Sequence, residues 1–514
     1  MKRNILIISF LLIVKLSNAQ TTFQKAYGGT TLEYARCMSQ TSDSGYIIAS
    51  YKPGNLYLLK LDENANFLWN KFYVGNNTAS PSYVQQTLDG GYIIGGGIQY
   101  SNLTDALLIK TDSTGIIQWS KVMSTVHYDG FNSIKQTPDS GYICTGLFDE
   151  YNGGWSGVYL LKTNAYGDTL WTKAIRSGYA SLAHSLQLTN DGGFIITGSA
   201  SISGSGDRVY LLKTDSLGNP LWAKTYGGSS INTGTDVKTT TDGGYIITGQ
   251  TYFGAGNDDV YLIKTDSVGD VLWTKTYGGP DHEYGASVLQ TNDGGYIVGG
   301  FTTPIIGTYK IYIIKTNTIG DTLWTKTITG VNTTSGDCNV IQASDGGYVI
   351  MADCDIVSGN AKDIILIKID SLGNSSCNMG NTPTTVTSPP FQVASQPTSI
   401  SAGGIITQPV FTTSIPTIVS TIICQNTSIS ENTYSAESFN IYPNPSNGHF
   451  IISFEQTTIK GKIEILSILT EIVFTDNISN ESKKEIRFDN ISSGVYFVKV
   501  FDEEKSYWKK IIIE

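Results

Sequence analysis

The chain has few charged residues, few methionines and few histidines for its length. Only 15% of its 514 residues are charged, and it contains five Met and four His. This composition disfavours amphipathic helices, whereas 55 Gly and 30 Tyr indicate many short strands joined by glycine turns. We therefore expect a mostly β protein, long enough to need several domains or a repeat array.

Long apolar runs are also lacking. The apolar stretch from Ile5 to Val14 follows Lys2 and Arg3 and precedes a Ser-Asn-Ala cleavage site, which is typical of a secretory signal peptide over residues 1–19. It is far shorter than the roughly 20 residues that span a bilayer, and no later segment predicts a transmembrane helix.

The motifs of nucleophilic and zinc enzymes are absent from the sequence: there is no G-x-S-x-G, no H-E-x-x-H and no C-x-x-C. We expect no cofactor and no metal. The formal net charge of −10 becomes −13 once three cations leave with the signal peptide, so nucleic acid is a poor partner.

Six cysteines occur in a chain that is expected to leave the cytoplasm, so disulfides are permitted. Cys338 and Cys354 lie seven before and nine after Asp345, and a hairpin centred near residue 346 predicts that they face each other. A second candidate pair is Cys377 and Cys424.

Three short motifs recur at a period of about 50 residues. Asp-Gly-Gly or Asp-Ser-Gly, followed by Tyr or Phe, has its Asp at 43, 89, 139, 191, 242, 293 and 345. Lys-x-Asp/Asn has its Lys at 60, 110, 162, 213, 264, 315 and 368. Trp-x-Lys has its Trp at 69, 119, 171, 222, 273 and 324, six copies against seven of the others.

One period predicts four antiparallel strands, with Asp-Gly-Gly as the turn of the innermost hairpin. Nearly continuous apolar runs such as "VYLIK" indicate sheets that are covered on both faces. These features predict an all-β fold, a seven-bladed β-propeller of four-stranded blades over 20–377. Phe23 and Lys25 stand in the Trp-x-Lys positions, so residues 21–28 are predicted to close the last blade.

The chain changes character after residue 377. Residues 378–437 are rich in Thr, Ser and Pro and predict a linker with some extended strands. Residues 438–514 contain further strand patterns and predict a small antiparallel, Ig-like β-sandwich. Its motif residues are Tyr442, Pro443, Asn444, Pro445, Gly448, Gly494 and Tyr496.

On these motif residues the C-terminal segment resembles the sorting domain of the type IX secretion system found in Bacteroidetes. The resemblance implies export across the outer membrane by the type IX machinery, and a protein that is secreted or attached to the cell surface. The repeats themselves resemble those of secreted bacterial propeller proteins, which implies architecture without chemistry.

Three loops on the face opposite the Asp-Gly-Gly turns are rich in carboxylates, histidines and tyrosines. Counted back from each turn, Glu33, Asp129 and Glu283 occupy one equivalent position. The candidate ligand-binding residues are Glu33, Tyr34, His127, Tyr128, Asp129, Asp281, His282, Glu283 and Tyr284. No catalytic residue is assigned.

Two functions fit this pattern. The first is a non-catalytic binding or adhesion module whose tyrosines stack on a neutral glycan, with a cation or a surface protein as other ligands. The alternative is an extracellular glycoside hydrolase or lyase that uses the loop carboxylates as acid and base.

Overall fold

The structure is a computed structural model, and every regular element among the residues it describes is a β-strand. No described residue lies in a helix with the length and apolarity needed to cross a membrane. The described residues are 20–28, 32–75, 77–100, 103–124, 128–149, 156–176, 180–202, 206–228, 231–252, 258–303, 309–333, 338–354, 362–375, 379–381, 384–387, 392–395, 399–401, 405–407, 411–414, 419–426, 439–454, 460–467, 472–479, 481–488, 491–501 and 506–513. The predicted signal peptide lies outside them.

Each repeat of the sequence folds as four antiparallel strands that neighbour one another in chain order. After β1 (Thr22–Gly28), the next strands form sheets 1 to 6. Sheet 1 contains β2 (Tyr34–Gln40), β3 (Tyr46–Lys52), β4 (Asn55–Leu61) and β5 (Phe67–Gly75). Sheet 2 contains β6 (Thr78–Gln86), β7 (Tyr92–Tyr100), β8 (Leu103–Thr111) and β9 (Ile117–Ser124). Sheet 3 contains β10 (Tyr128–Gln136), β11 (Tyr142–Asp149), β12 (Ser156–Thr163) and β13 (Thr169–Arg176).

The remaining three sets repeat this arrangement. Sheet 4 contains β14 (Ala180–Leu188), β15 (Phe194–Ile202), β16 (Gly206–Thr214) and β17 (Pro220–Gly227). Sheet 5 contains β18 (Asn232–Thr239), β19 (Tyr245–Thr251), β20 (Asp259–Thr265) and β21 (Val271–Gly278). Sheet 6 contains β22 (His282–Gln290), β23 (Tyr296–Thr303), β24 (Tyr309–Thr316) and β25 (Thr322–Thr333).

Sheet 7 combines strands from both ends of the repeat region. It contains β26 (Asn339–Gln342), β27 (Tyr348–Cys354) and β28 (Asp363–Ile369), and β1 pairs with β28. Phe23 lies opposite Lys368 and Lys25 opposite Leu366, the register in which Trp222 lies opposite Lys213 in sheet 4. The N-terminal strand therefore occupies the place that the Trp-x-Lys strands occupy elsewhere.

Residues 379–426 place a fifth strand on the outer edge of each of the seven sheets described above, and we call these strands the strap. The strap consists of β29 (Met379–Asn381), β30 (Thr385–Thr387), β31 (Gln392–Ser395), β32 (Ser399–Ser401), β33 (Ile405–Thr407), β34 (Phe411–Ser414) and β35 (Val419–Asn426). In that order they pair with sheets 6, 5, 4, 3, 2, 1 and 7. The strap covers edges that would otherwise expose unpaired backbone groups.

Neighbouring sheets pack face to face through buried apolar clusters. Sheet 6 packs on sheet 7 through Ile313 and Ile350, and sheet 7 packs on sheet 1 through Val349 and Ile48. Equivalent clusters join the intervening pairs of sheets. The continuous apolar runs of the sequence are thus explained by burial on both faces of each sheet.

Tryptophans on the fourth strands fix the turns of the next sheet. Gly269, in the turn between β20 and β21, has φ +81°, and a Cβ there would lie 2.7 Å from the Trp222 ring of sheet 4. Only glycine satisfies both the backbone conformation and the close approach. This accounts for the glycine that follows each Lys-x-Asp/Asn motif from sheet 2 to sheet 7.

The chain divides into two compact units, Met1–Ser428 and Ile429–Glu514. The second unit contains a sheet of β36 (Phe439–Tyr442), β37 (His449–Phe454) and β40 (Lys483–Arg487), and a sheet of β38 (Lys460–Ser467), β39 (Ile472–Ser479), β41 (Gly494–Phe501) and β42 (Ser506–Ile513). Phe450, Ile465 and Val498 belong to one buried core between them. The peptide bonds before Pro443 and Pro445 are cis.

Candidate functional site

The aspartates of the Asp-Gly-Gly and Asp-Ser-Gly turns form ion pairs with the lysines of the Lys-x-Asp/Asn motif. Each motif lysine reaches the aspartate of its own sheet at 2.6 to 2.9 Å. The lysine side chains are buried, whereas the carboxylates are about half exposed in six sheets and 30% exposed at Asp345. The pairs are Asp43–Lys60, Asp89–Lys110, Asp139–Lys162, Asp191–Lys213, Asp242–Lys264, Asp293–Lys315 and Asp345–Lys368. These turns are structural.

The pKa values of the turn carboxyls reflect this pairing. Burial opposes their ionisation, but hydrogen bonds from the lysine, a threonine hydroxyl and a glycine N–H outweigh it and lower the pKa of Asp139, Asp191 and Asp242 to about 2. No cluster of His, Cys, Asp and Glu suited to a metal ion occurs within the described ranges.

On the opposite face, Glu33 and Glu283 occupy equivalent positions and are buried, each only 3% exposed. The Glu33 N–H donates to the Lys362 carbonyl, and the Glu283 N–H donates to the Asp258 carbonyl, both at 2.7 Å. Each bond connects the start of one sheet to the third strand of the preceding sheet. The two glutamates therefore lie at junctions between sheets rather than on an open surface.

Their carboxylates are engaged within these junctions. Lys52 Nζ lies 2.7 Å from Glu33 Oε1. Glu283 accepts hydrogen bonds from the Thr302 hydroxyl at 2.8 Å and the Gly279 N–H at 3.0 Å. Burial nevertheless raises the pKa of Glu283, because those hydrogen bonds do not offset the lost hydration.

A glycine makes room for the Glu283 junction. A Cβ at Gly278, at the end of β21, would lie 1.9 Å from Asp259 Oδ1 and 2.8 Å from Glu283 Oε2. Asp259 is buried, so its carboxylate has no space into which to move. The glycine of this Tyr-Gly-Gly segment is thus required by packing.

Beside this junction, a partly exposed polar and aromatic cluster lies on the loop face. His282 Nδ1 is 3.0 Å from Asp258 Oδ2, and the Tyr284 hydroxyl donates to the same oxygen at 3.2 Å. The His282 and Tyr284 rings are parallel, with centroids 6.2 Å apart. Burial and the neighbouring Asp258 raise the pKa of Tyr284 to about 12, so the phenol is a neutral donor. Asp281 is partly exposed next to this cluster.

The equivalent position in sheet 1 carries a different charge. Tyr34 pairs with Tyr51 across the strands, with ring centroids 5.9 Å apart. Lys362 Nζ lies 4.5 Å from the centroid of the Tyr34 ring, where sheet 6 has Asp258 beside Tyr284. The loop face thus repeats its aromatic residues but changes the charge next to them.

The third predicted set, in sheet 3, is described only in part. Tyr128 and Asp129 begin β10, with their backbones opposite Asp149 and Phe148 of β11. Their side chains, and His127 as a whole, lie outside the described residues. The convergence of all three sets on one ligand stays a prediction.

The first strands of the seven sheets line one cavity of about 510 Å³. Side chains of this lining connect neighbouring sheets: the Met38 N–H donates to Asn339 Oδ1 at 2.8 Å, joining sheet 1 to sheet 7. In the same way the Val288 N–H of sheet 6 donates to Asp236 Oδ2 of sheet 5 at 3.1 Å. The charged lining residues are Arg36, Lys135, Asp236 and Lys238.

The cysteine predictions are untested. Cys338 and Cys354 are both buried in the cluster between sheets 6 and 7. The hairpin register places Asn339 opposite Met351. Cys377 lies outside the described residues, and the backbone of Cys424 lies opposite Gln24 in β35.

Asp258, Lys362 and Tyr51 were missed by the sequence reasoning, which counted only backwards from the Asp-Gly-Gly turns. Asp258 and Lys362 each stand six residues before a motif lysine, at the entry to the third strand. Alignment on that lysine would have placed both beside the predicted tyrosines.

The geometry of the C-terminal unit explains its motif. Asn444 donates from Nδ2 to the Lys510 carbonyl at 2.8 Å and accepts from the Ile512 N–H at 2.9 Å, which ties the Tyr-Pro-Asn-Pro segment to the last strand. Gly448 has φ +92°, and the Tyr496 hydroxyl donates to the Ser492 carbonyl at 2.9 Å.

Residues 440–514 match the family of secretion system C-terminal sorting domains. This match supports export of the chain by type IX secretion, after which the protein is secreted or attached to the cell surface. It also implies an interaction with the type IX machinery.

Comparison with curated proteins finds no match. The tail fiber of Staphylococcus aureus phage P68 is 9% identical, with a TM-score of 0.23, over 76% of this chain and 92% of that chain. The BSP domain of a biofilm associated protein is 11% identical, with a TM-score of 0.13, over 97% of this chain and 91% of that chain. At these TM-scores neither likeness bears on fold or function.

Proposed function

We propose that the repeat region is a seven-bladed β-propeller that binds a glycan on its loop face without catalysis. The sorting domain places this module outside the cell, released or attached to the surface.

The propeller is supported by contacts between the first and last sheets. Beyond the apolar packing and the bond from Met38 to Asn339, Lys25 Nζ of β1 donates to Asn66 Oδ1 of sheet 1 at 2.9 Å. This is the contact that Lys224 of sheet 4 makes with Asp270 of sheet 5 at 2.7 Å. A repeat of about 50 residues in four strands is also the size of a propeller blade.

The cluster of Asp258, His282 and Tyr284 carries the binding proposal. Its rings are partly exposed, and its hydrogen bonds hold them parallel, so little entropy is lost when a sugar stacks on them. The Asp258 carboxylate accepts hydrogen bonds from sugar hydroxyl groups, and the ring nitrogens of His282 donate hydrogen bonds to them or accept hydrogen bonds from them. A neutral glycan remains the leading ligand, because sheet 1 has a tyrosine, Tyr34, at the position of Tyr284 but a lysine in place of Asp258 beside it, so the loop face presents both signs of charge.

Catalysis is disfavoured by the burial of Glu33 and Glu283, two of the three predicted loop carboxylates. Glycoside hydrolysis uses two carboxyl groups roughly 5 to 10 Å apart that reach the scissile bond. Glu33 is buried beside Lys52, and Glu283 is buried within a sheet junction. Neither is placed to reach a polymer on the loop face.

A glycan-array screen of the exported protein, purified from the medium, tests the binding proposal. Tyr284→Ala is expected to weaken binding to the bound glycan at least tenfold, because an aromatic contact contributes about 0.5 to 1.5 kcal/mol beyond the apolar area that it buries, and tenfold corresponds to about 1.4 kcal/mol in total. Tyr166→Ala is the matched control, since Tyr166 is 73% exposed in a turn on the opposite face. If Tyr284→Ala leaves binding unchanged and Tyr166→Ala abolishes it, the ligand binds on the face of the Asp-Gly-Gly turns and the proposed site is wrong.

A further inference from the structure

The cavity between the first strands concentrates positive charge in an acidic chain. The chain carries a formal net charge of −10. Among the described residues that line the cavity, three are cationic, Arg36, Lys135 and Lys238, and one is a carboxylate, Asp236. The lining therefore has a net charge of +2 with His184 neutral, and burial lowers the pKa of His184 below its ordinary value.

The one carboxylate in this lining is already fully used. Lys238 Nζ lies 2.6 Å from both oxygens of Asp236. The Ser185 hydroxyl donates to Oδ1 at 2.7 Å, and the Val288 N–H donates to Oδ2 at 3.1 Å. Asp236 thus forms its ion pair with Lys238, within its own strand, and acts on Lys135 only as a charge at longer range.

Lys135 has a neutral partner instead. Its Nζ donates to the Tyr83 hydroxyl at 2.5 Å and lies 5.0 Å from the centroid of that ring. Burial raises the pKa of Tyr83, so the phenol carries no charge, and burial lowers the pKa of Lys135. Among the described residues, Lys135 forms no ion pair. The Lys135 side chain is partly exposed and lines the cavity, so its ammonium is accessible to a small anion.

The repeat pattern confirms that this charge is an exception. Lys135 stands four residues before its turn aspartate, and its strand has Ser133 where the strand of Lys238 has Asp236. The same position in the other five sheets is uncharged: Ser39, Gln85, Gln187, Leu289 and Ile341.

Gln85 adds a second signal from the adjacent sheet. It lines the same cavity at the same repeat position as Lys135, and its buried Oε1 has no hydrogen-bond partner among the described residues. The positions of Oε1 and Nε2 in an amide are assigned from their hydrogen-bond partners, and rotating the Gln85 amide by 180° presents Nε2 as a donor at this position.

We propose that this cavity binds a small oxyanion, one carboxylate, sulfate or phosphate group in size, with Lys135 as the charged ligand and Gln85 as a donor. The anion supplies the charge that the lining lacks. This site lies on the first strands and is separate from the aromatic cluster of the loop face, so it stands or falls independently of glycan binding there.

Isothermal titration of the exported protein with sodium glucuronate, sulfate and phosphate, each in turn, tests the proposal, with glucose as the uncharged control. At least one anion is expected to bind with a millimolar or lower dissociation constant, weakened by added chloride. Lys135→Gln should weaken that binding at least tenfold. Lys224→Gln, which removes an ion pair on the outside of sheet 4, should change it less than twofold.

A crystal soaked in selenate provides a test that needs no variant. The anomalous signal of selenium is expected within hydrogen-bond distance of Lys135 Nζ. Absence of binding by all three anions, binding unchanged in folded Lys135→Gln, or selenate elsewhere in the cavity would each overturn the proposal. The differences among the three anions identify whether the natural ligand is an acidic sugar or an inorganic ion.

Discussion

Replacing Asp242 by alanine tests the contribution of the repeated ion pair in sheet 5. The carboxylate accepts hydrogen bonds from the Thr240 hydroxyl at 2.5 Å and the Gly244 N–H at 3.0 Å, and Lys264 Nζ lies 2.9 Å away. The Lys264 side chain is 3% exposed, and its remaining bond is to the Thr265 carbonyl at 2.7 Å. Asp242→Ala therefore leaves a buried ammonium without its counter-charge.

The expected loss lies between two limits. Exposed ion pairs contribute about 0 to 1 kcal/mol, and breaking a fully buried pair costs about 3 to 5 kcal/mol. Because Asp242 is 54% exposed, water hydrates part of the vacated site, which moves the cost of the lost ion pair towards the first range, to about 1 kcal/mol. Together with two lost turn hydrogen bonds of about 1 kcal/mol each, we expect a loss of about 3 kcal/mol in the free energy of unfolding.

Urea unfolding at pH 7, followed by tryptophan fluorescence, measures this loss. Adding Lys264→Met should recover about 1 to 2 kcal/mol, because the unpaired ammonium is then gone. The matched control is Asp266→Asn in the next turn of the same sheet. Sheets 3 and 6 have asparagine at this position, Asn164 and Asn317, and Asn164 Oδ1 accepts hydrogen bonds from the two backbone N–H groups equivalent to those that donate to Asp266. The reasoning is refuted if Asp266→Asn costs as much as Asp242→Ala, or if Asp242→Ala costs less than 0.5 kcal/mol.

Four further predictions follow from the same contacts. The pKa of Asp139, Asp191 and Asp242 is lowered to about 2 in the folded chain from an ordinary value of 3.8, so their contribution to stability is present above pH 4 and lost as the pH falls towards 2. The urea midpoint should fall over that interval, and a flat midpoint would contradict the pairing. Gly278→Ala should lower the thermal midpoint by several degrees through its clash with Asp259, and an unchanged midpoint in a melting curve would show that the junction yields freely. Deleting 438–514 should leave a folded repeat region in the periplasm, as fractionation with limited proteolysis would show, and normal surface delivery would refute the sorting assignment. Mass spectrometry of unreduced peptides should detect a Cys338–Cys354 disulfide, and two alkylated thiols would exclude it.

The regular parts of the fold were accessible from the sequence because they depend on local chemistry. Glycine turns and motifs that recur about every 50 residues predicted an all-β chain with four strands per repeat, and the structure confirms both features. The Tyr-Pro-Asn-Pro motif likewise predicted the sorting domain. Each signal is contained within a few consecutive residues.

Contacts between sheets were less accessible. The contact between Asp242 and Lys264 was not predicted, because it depends on the register in which β19 pairs with β20. Glu33 and Glu283 were correctly aligned with each other, but their burial arises from a backbone bond to the preceding sheet, which spacing does not reveal. The pairing of the strap with the seven sheets was not predicted for a similar reason: its Thr/Ser/Pro-rich composition resembles a linker, and its pairing partners lie far away in sequence.

Titration of the leading array glycan into the exported protein, followed by chromatography of the same solution, tests the central claim most directly. The account predicts saturable heat of binding, at least tenfold weaker binding by Tyr284→Ala, and recovery of the glycan at its original length. Shortened or unsaturated products that disappear in a Glu283→Gln variant would contradict it, and would identify the repeat region as an enzyme.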